Sequence, residues 1–287
     1  MKKLFIFAAA VFCLAAIFCC NHKAESELEY LPEKVQAKGT LVIEGGGDRI
    51  APILNKIIEK GGGIDRCKLL VVPFASGYAE ETGVNQVEEF KALGCKDVDY
   101  ILCSKDNIDS PESLAKLNGV TAVFFSGGDQ SRLYSYLAGT KFFDKIKQIY
   151  RDGGVVSGTS AGAAIMSRVM LTGNSLDTTR KSGYFDYIKA GDVETVEGFG
   201  FLDNIIVDQH FIARRRQVRL INVLLDHPGY RGIGIDEEAA IVVNPDNTME
   251  IVGDNCAMFF EPYRPEDGKP NHSFKLTILY PGDKINL

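Results

Sequence analysis

The chain has no tryptophan, and only four of its 287 residues are histidine. That scarcity confines any imidazole-dependent chemistry to His22, His210, His227 and His272. None of the seven cysteines forms a C-x-x-C pair, which speaks against a thiolate metal site. There is no G-x-G-x-x-G fingerprint and no G-K-[ST], so neither dinucleotide- nor phosphate-loop binding is indicated. Basic residues are outnumbered, with a formal net charge of −6, and no basic patch is interleaved with aromatics. Nucleic acid is therefore excluded as a partner. Internal repeats are absent, and no linker follows Lys38. No cofactor or metal is implied.

What is present begins with an export signal. Lys2 and Lys3 precede the apolar run Leu4 to Phe18, which gives way to Cys19-Cys20-Asn21. A basic start, an apolar middle and a polar exit make residues 1–20 a secretory signal peptide, too short an apolar run for a membrane span. Its removal takes two lysines and brings the net charge to about −8. A cysteine directly after such a segment resembles a bacterial lipoprotein site, so Cys19 or Cys20 is the candidate for a lipid anchor. Residues 21–38 would then form a polar tether, and residues 39–287 a single domain. Cys67, Cys95, Cys103 and Cys256 remain, as buried thiols or as disulfides that sequence cannot pair.

From Thr40 onward, short continuous apolar runs alternate with helical patterns. The strands are Thr40–Glu44, Lys68–Ala75, Val98–Cys103, Val120–Phe125 and Val155–Val156, with amphipathic stretches such as Glu80–Leu93 between them. Continuous apolar strands are buried on both faces, and intervening helices imply a parallel sheet. The expected fold is α/β: a doubly wound, mostly parallel sheet. Gly45-Gly46-Gly47-Asp48 reads as a tight turn after the first strand.

The chain is organised around Gly158-Thr159-Ser160-Ala161-Gly162, a G-x-S-x-G match. A chain with 29 glycines makes such matches by chance, but here an apolar run precedes the motif and a small-residue run follows it. That context fits a serine presented on a sharp strand-to-helix turn. A free hydroxyl is a weak nucleophile and needs a base, an orienting acid and an oxyanion hole. Ser126-Gly127-Gly128-Asp129-Gln130 ends the preceding strand, on the same sheet edge. Gly128 is the candidate oxyanion donor, with the Ala161 N–H as the second. His22 lies in the tether, His227 at a helix stop and His272 in a polar run. His210 alone closes a strand, Asn204–Val207 followed by Asp208-Gln209-His210, on the edge that carries Ser160. The acid stays open among Asp236, Glu237 and Glu238, with Asp177 a distant fourth. Arg214, Arg215, Arg216 and Arg219 follow the base in an acidic chain. If that segment is helical, Arg215 and Arg216 share a face with Arg219, and the group suits an anionic substrate.

Together, S-G-G-D-Q, G-T-S-A-G-A, D-Q-H-F-x-x-R-x-R-x-x-R-L, G-I-D-E-x-x-A-I-V-V and the terminal L-x-P-G-D resemble the cyanophycinase branch of the dipeptidase E (S51) serine peptidases. The resemblance runs from about Leu41 to Asp283. It implies a three-layer fold related to class I glutamine amidotransferases, with added C-terminal strands. It implies Ser160 as nucleophile, His210 as base and Glu237 as acid, and a substrate pocket of Gln130, Asp208, Gln209, Arg214, Arg216 and Arg219. Cyanophycinases cleave β-linked aspartyl-arginine chains, so the implied substrate is a β-aspartyl or other acidic peptide, its free carboxylate held by arginines. The expected partners are that peptide, a membrane lipid anchor and, as a homodimer, a second copy of the chain. The competing readings are an esterase or amidase on the same elbow, and a surface peptide-binding protein without turnover.

Overall fold

The computed structural model describes residues 38–177, 179, 185–263 and 273–287. The expected signal, the tether up to residue 37 and the lipid-anchor cysteines lie outside them, as do His22 and His272.

The centre is an eight-stranded sheet of β1 (Thr40–Glu44), β2 (Lys68–Val72), β3 (Asp97–Tyr100), β4 (Ala122–Phe125), β5 (Val155–Thr159), β10 (Ala239–Val243), β11 (Thr248–Gly253) and β14 (Lys284–Asn286). Its order is β14-β11-β10-β1-β5-β4-β2-β3. The five strands from β1 to β3 run parallel, and β10, β11 and β14 are added antiparallel at one side. The apolar runs explain the parallel core: β1, β4 and β5 are buried along their whole length. β3 departs from that pattern. It alternates exposed Asp97 and Asp99 with buried Val98, because it is the edge strand. β2 stops at Val72, where Pro73 withdraws an N–H from the ladder.

On one face, α1 (Ala51–Lys60) and α2 (Ala79–Ala92) pack through Ile53, Ile57, Val87 and Phe90 against Val42, Leu69 and Phe124. The other face carries α3 (Pro111–Ala115), α4 (Gln130–Leu137), α5 (Lys141–Arg151) and the single turn α6 (Ala161–Ala164). Their side chains join Leu41, Ile43, Phe125 and Val156 in the largest cluster of the core. The α4 start is fixed by Asp129, whose Oδ1 accepts from the N–H groups of Ser131 and Arg132 at 2.8 and 3.1 Å.

Two smaller sheets follow. β6 (Val169–Ser175) and β7 (Val193–Glu197) form a hairpin. β8 (Ile205–Gln209), β9 (Arg231–Ile235), β12 (Ala257–Tyr263) and β13 (Ser273–Leu279) form a second sheet in the order β13-β12-β9-β8. One side of it, with Val207, Ile233 and Ile235, belongs to the main core. The other packs Ile206 and Phe260 against Leu220, Val223 and Leu224 of α7 (Gln217–Asp226). α7 starts with Arg216 at its N-cap and holds Arg219 in its first turn, so Arg216 and Arg219 share a side that meets Asp208, while Arg214 and Arg215 stay in the loop before it. Arg215 has φ +53°, which a helix cannot accommodate.

Candidate active site

Ser160 stands between β5 and α6 with φ +54° and ψ −107°, a conformation costly for any residue with a side chain. The flanking glycines make it attainable. A Cβ on Gly158 would lie 2.6 Å from the Gly162 carbonyl oxygen, and one on Gly162 would lie 2.3 Å from that of Phe125. The Ser160 N–H donates to the Glu44 carbonyl at 3.1 Å, tying the turn to β1.

His210 follows β8 and is 6 % exposed, with φ +48°. Its Nε2 lies 2.8 Å from Ser160 Oγ, and its Nδ1 lies 2.5 Å from Glu237 Oε1. Of the three acids between β9 and β10, Glu237 is therefore the one on the imidazole. Asp236 turns the other way: its Oδ1 accepts the N–H groups of Ile212 and Ala213, both at 3.0 Å, and so anchors the loop after His210. Glu238 contributes its backbone N–H to the Gly46 carbonyl at 2.8 Å. Asp177 accepts from Thr179. Burial pushes the His210 pKa below its usual value; the Glu237 hydrogen bond opposes this, and Arg214 and Arg216 add to it. A neutral imidazole beside a hydroxyl, held in one tautomer by a carboxylate, can take the hydroxyl proton during attack on a carbonyl.

The loop Gly45-Gly46-Gly47, read from sequence as a turn, is a wall of this site. The Gly45 carbonyl accepts the His210 N–H at 2.8 Å. Gly46, at φ +110°, lies against the imidazole, and a Cβ there would come within 2.3 Å of the ring. A Cβ on Gly47 would meet the Glu237 Cβ at 2.7 Å. Three consecutive glycines at the carboxyl end of a strand beside the serine strand were the available signal. Only glycine lets the backbone approach a side chain this closely.

The S-G-G-D loop also adjoins Ser160. A Cβ on Gly127 would lie 3.4 Å from that of Ser160, and Gly128 has φ +138° with no room for a side chain against the Ala75 carbonyl. Among the described residues, neither the Gly128 N–H nor the Ala161 N–H donates a hydrogen bond.

The remaining candidates fall into two groups. Arg219 and Asp208 are 3 % and 1 % exposed, and they form a two-pronged ion pair, with Nε to Oδ2 at 2.9 Å and Nη2 to Oδ1. Arg216 donates to the Gln209 carbonyl at 2.8 Å and to the Gln209 Oε1. Burial, then the neighbouring Arg219, lowers the Arg216 pKa to about 10, with Asp208 partly compensating. The Gln130 amide donates to the carbonyls of Leu171 and Thr172 at 2.8 and 2.9 Å. Arg214 is the open one: its side chain is 54 % exposed and its Nε lies 3.8 Å from Glu237 Oε1. Cys67, Cys95, Cys103 and Cys256 are free thiols. Among the described residues, no three His, Cys, Asp or Glu are grouped to hold a metal ion.

The sequence profile of Peptidase family S51 matches residues 35–251. The chain belongs to that family. It is similar to the cyanophycinase of Geminocystis herdmanii, 33 % identical over 261 residues that cover 86 % of this chain and 92 % of the relative. The cyanophycinase of Trichormus variabilis is 29 % identical, with coverages of 91 % and 89 %. Among solved structures, a peptidase from an acI-B1 Actinobacterium superposes with a TM-score of 0.62 at 24 % identity, covering 88 % of this chain and 98 % of its own. That likeness supports the fold: a mixed α/β protein with a mostly parallel central sheet and added C-terminal strands. The chain is a cyanophycinase-like S51 peptidase, hence a serine-type hydrolase.

Proposed function

We propose that this peptidase is exported and hydrolyses β-aspartyl or other acidic peptide bonds through Ser160, His210 and Glu237. The observation that carries the proposal is the 2.8 Å contact of Ser160 Oγ with His210 Nε2, backed by Glu237 at 2.5 Å on Nδ1. Ser160 Oγ attacks the scissile carbonyl as His210 takes its proton, and Glu237 stabilises the imidazolium that forms. The N–H groups of Gly128 and Ala161 receive the developing oxyanion. His210 returns the proton to the leaving amine, and water then releases the acyl group by the same steps in reverse order.

The substrate class follows from the relatives' name and the arginine pocket. A β-aspartyl linkage leaves one carboxylate free. Arg214, exposed beside Glu237, is the residue best placed to meet it from solvent, with Arg216 behind it. Arg219 and Asp208 serve as the buried frame on which Arg216 and Gln209 rest. Export rests on Lys2, Lys3 and the apolar run, and the lipid anchor on Cys19 and Cys20.

Purified mature protein would be assayed on β-aspartyl-arginine, its α-linked isomer and a small activated ester. The proposal expects the β-linked peptide to be preferred at least tenfold in kcat/KM. Equal hydrolysis of both isomers would end the β-aspartyl assignment, and turnover of the ester alone would favour an esterase. Mass spectrometry of the mature N-terminus tests export, and an intact leader would contradict it.

A further inference from the structure

Glu44 is the one described side chain whose buried oxygens have no hydrogen-bond partner, and this holds for both of them. It closes β1 at 1 % exposure. Leu41 and Ile43 face the α4–α5 side of the sheet, and Val42 faces α1 and α2. Alternation therefore turns Glu44 toward α1 and α2. It lies between two strands, opposite Thr159 of β5 and Ala240 of β10. The Thr159 hydroxyl is the one polar side-chain group that these strand partners offer the carboxyl, and β10 offers only a methyl group. The buried face of α1 supplies Ile53, Leu54, Ile57 and Ile58. The charged groups nearby are Arg49, after β1, and Glu89, on α2. They are committed to each other in a two-pronged pair, both contacts at 2.5 Å.

The backbone of this residue reaches the candidate nucleophile. Its carbonyl accepts the Ser160 N–H, and the next residue, Gly45, holds the His210 N–H. We infer that Glu44 is a positioning residue, held as a neutral carboxylic acid, whose charge state sets whether the Ser160 turn keeps its place. An ionised carboxylate in this enclosure has only the Thr159 hydroxyl within reach and must draw water or Arg49 toward it. Either would open the β1–β5 junction that carries both the Ser160 and the His210 backbone contacts. In keeping with this, burial raises the Glu44 pKa to about 8, opposed by the Thr159 hydroxyl and Arg49, while Glu89 adds to the rise.

This inference rests on the serine reading above, and the test separates the two. The rate of Ser160 labelling by a serine-directed phosphonate would be followed from pH 6 to 10 in full mature wild type and Glu44→Gln. Each profile is normalised to its own value at pH 7. If only the neutral form holds the turn, the wild-type rate at pH 9 falls about tenfold relative to the variant, since about a tenth of Glu44 then stays protonated. Glu44→Leu, also unable to ionise, should give the same flat profile should the glutamine variant fail to fold. Identical alkaline profiles in wild type and variant would overturn the inference. If Ser160 labels in neither protein at any pH, the serine reading falls and the positioning role with it. The pH dependence of thermal unfolding then reports separately on the Glu44 proton: wild type should lose ground to Glu44→Gln between about pH 4.5 and 8, and parallel curves would contradict a buried neutral acid.

Discussion

Gly46→Ala is a sharp perturbation because the structure separates its two effects. The added methyl would sit 2.3 Å from His210 Cε1, 2.6 Å from Nε2 and 2.8 Å from Nδ1. Carbon atoms in contact settle near 3.5 Å, so the ring or the loop must yield by about 1 Å. The ring cannot move without losing its 2.8 Å contact with Ser160 or its 2.5 Å contact with Glu237. The loop cannot move freely either, because Gly45 and Gly46 carbonyls hold the N–H groups of His210 and Glu238. A misplacement of about 1 Å at a reacting group costs about 10²-fold in rate. The second effect is backbone strain: φ +110° is poorly tolerated by alanine, at about 1–3 kcal/mol. Gly153→Ala is the matched control, with φ +111° and no atom closer than 3.8 Å to an added Cβ. Both variants should lose stability in thermal unfolding, Gly46→Ala at least as much as the control because its clash adds to the strain, and only Gly46→Ala should lose kcat by about 10²-fold. If Gly46→Ala keeps kcat within about threefold and loses no more stability than the control, the ring is not held as described.

Further outcomes follow from the same geometry. Burial lowers the His210 pKa, so the acid limb of kcat/KM should have its midpoint below 6.5. Glu237→Gln removes the main opposing influence, so the limb should move further toward acid as kcat drops by about 10⁴-fold; a limb above 6.5 in wild type would contradict the assigned environment. A depressed imidazole pKa also means that stability is held above pH 6.5 and lost as pH falls toward the folded value, a loss His210→Gln should lessen in pH-dependent unfolding. Arg219→Met strands the Asp208 carboxylate and should cost about 3–5 kcal/mol of stability. By contrast, Arg214→Ala should change stability by no more than about 0.5 kcal/mol and raise KM for substrates with a free carboxylate, as unfolding and steady-state kinetics would show.

What sequence made visible was whatever depends on local pattern. The apolar runs of β1, β2, β4 and β5 announce a buried parallel sheet, and G-T-S-A-G announces its sharp turn because both glycines are needed by short-range sterics. His210 is found by elimination and by its place at a strand end. The choice among Asp236, Glu237 and Glu238 is invisible locally, since adjacent residues in a turn can each face anywhere. Only tertiary contacts show Asp236 holding backbone N–H groups while Glu237 meets the imidazole. The arginine run misleads in part for a similar reason: composition allows one helix throughout, but Asp236 holds the loop before Arg214 and Arg215, and α7 takes in only Arg216, as its cap, and Arg219. Gly46 left a signal in its run of three glycines but not its partner, and Glu44 left none, because their importance lies in what approaches them from His210, β5 and α2, far away in the chain.

The central claim is that Ser160 and His210 act as one unit. The most direct measurement is kcat on a β-aspartyl-arginine substrate for Ser160→Ala, His210→Ala and the double variant, each confirmed folded by thermal unfolding. The account expects each single variant to fall by about 10³-fold or more, and the double variant to be hardly worse than either, because members of such a unit fail together. Near-normal turnover by Ser160→Ala, or single losses that multiply in the double variant, would contradict it.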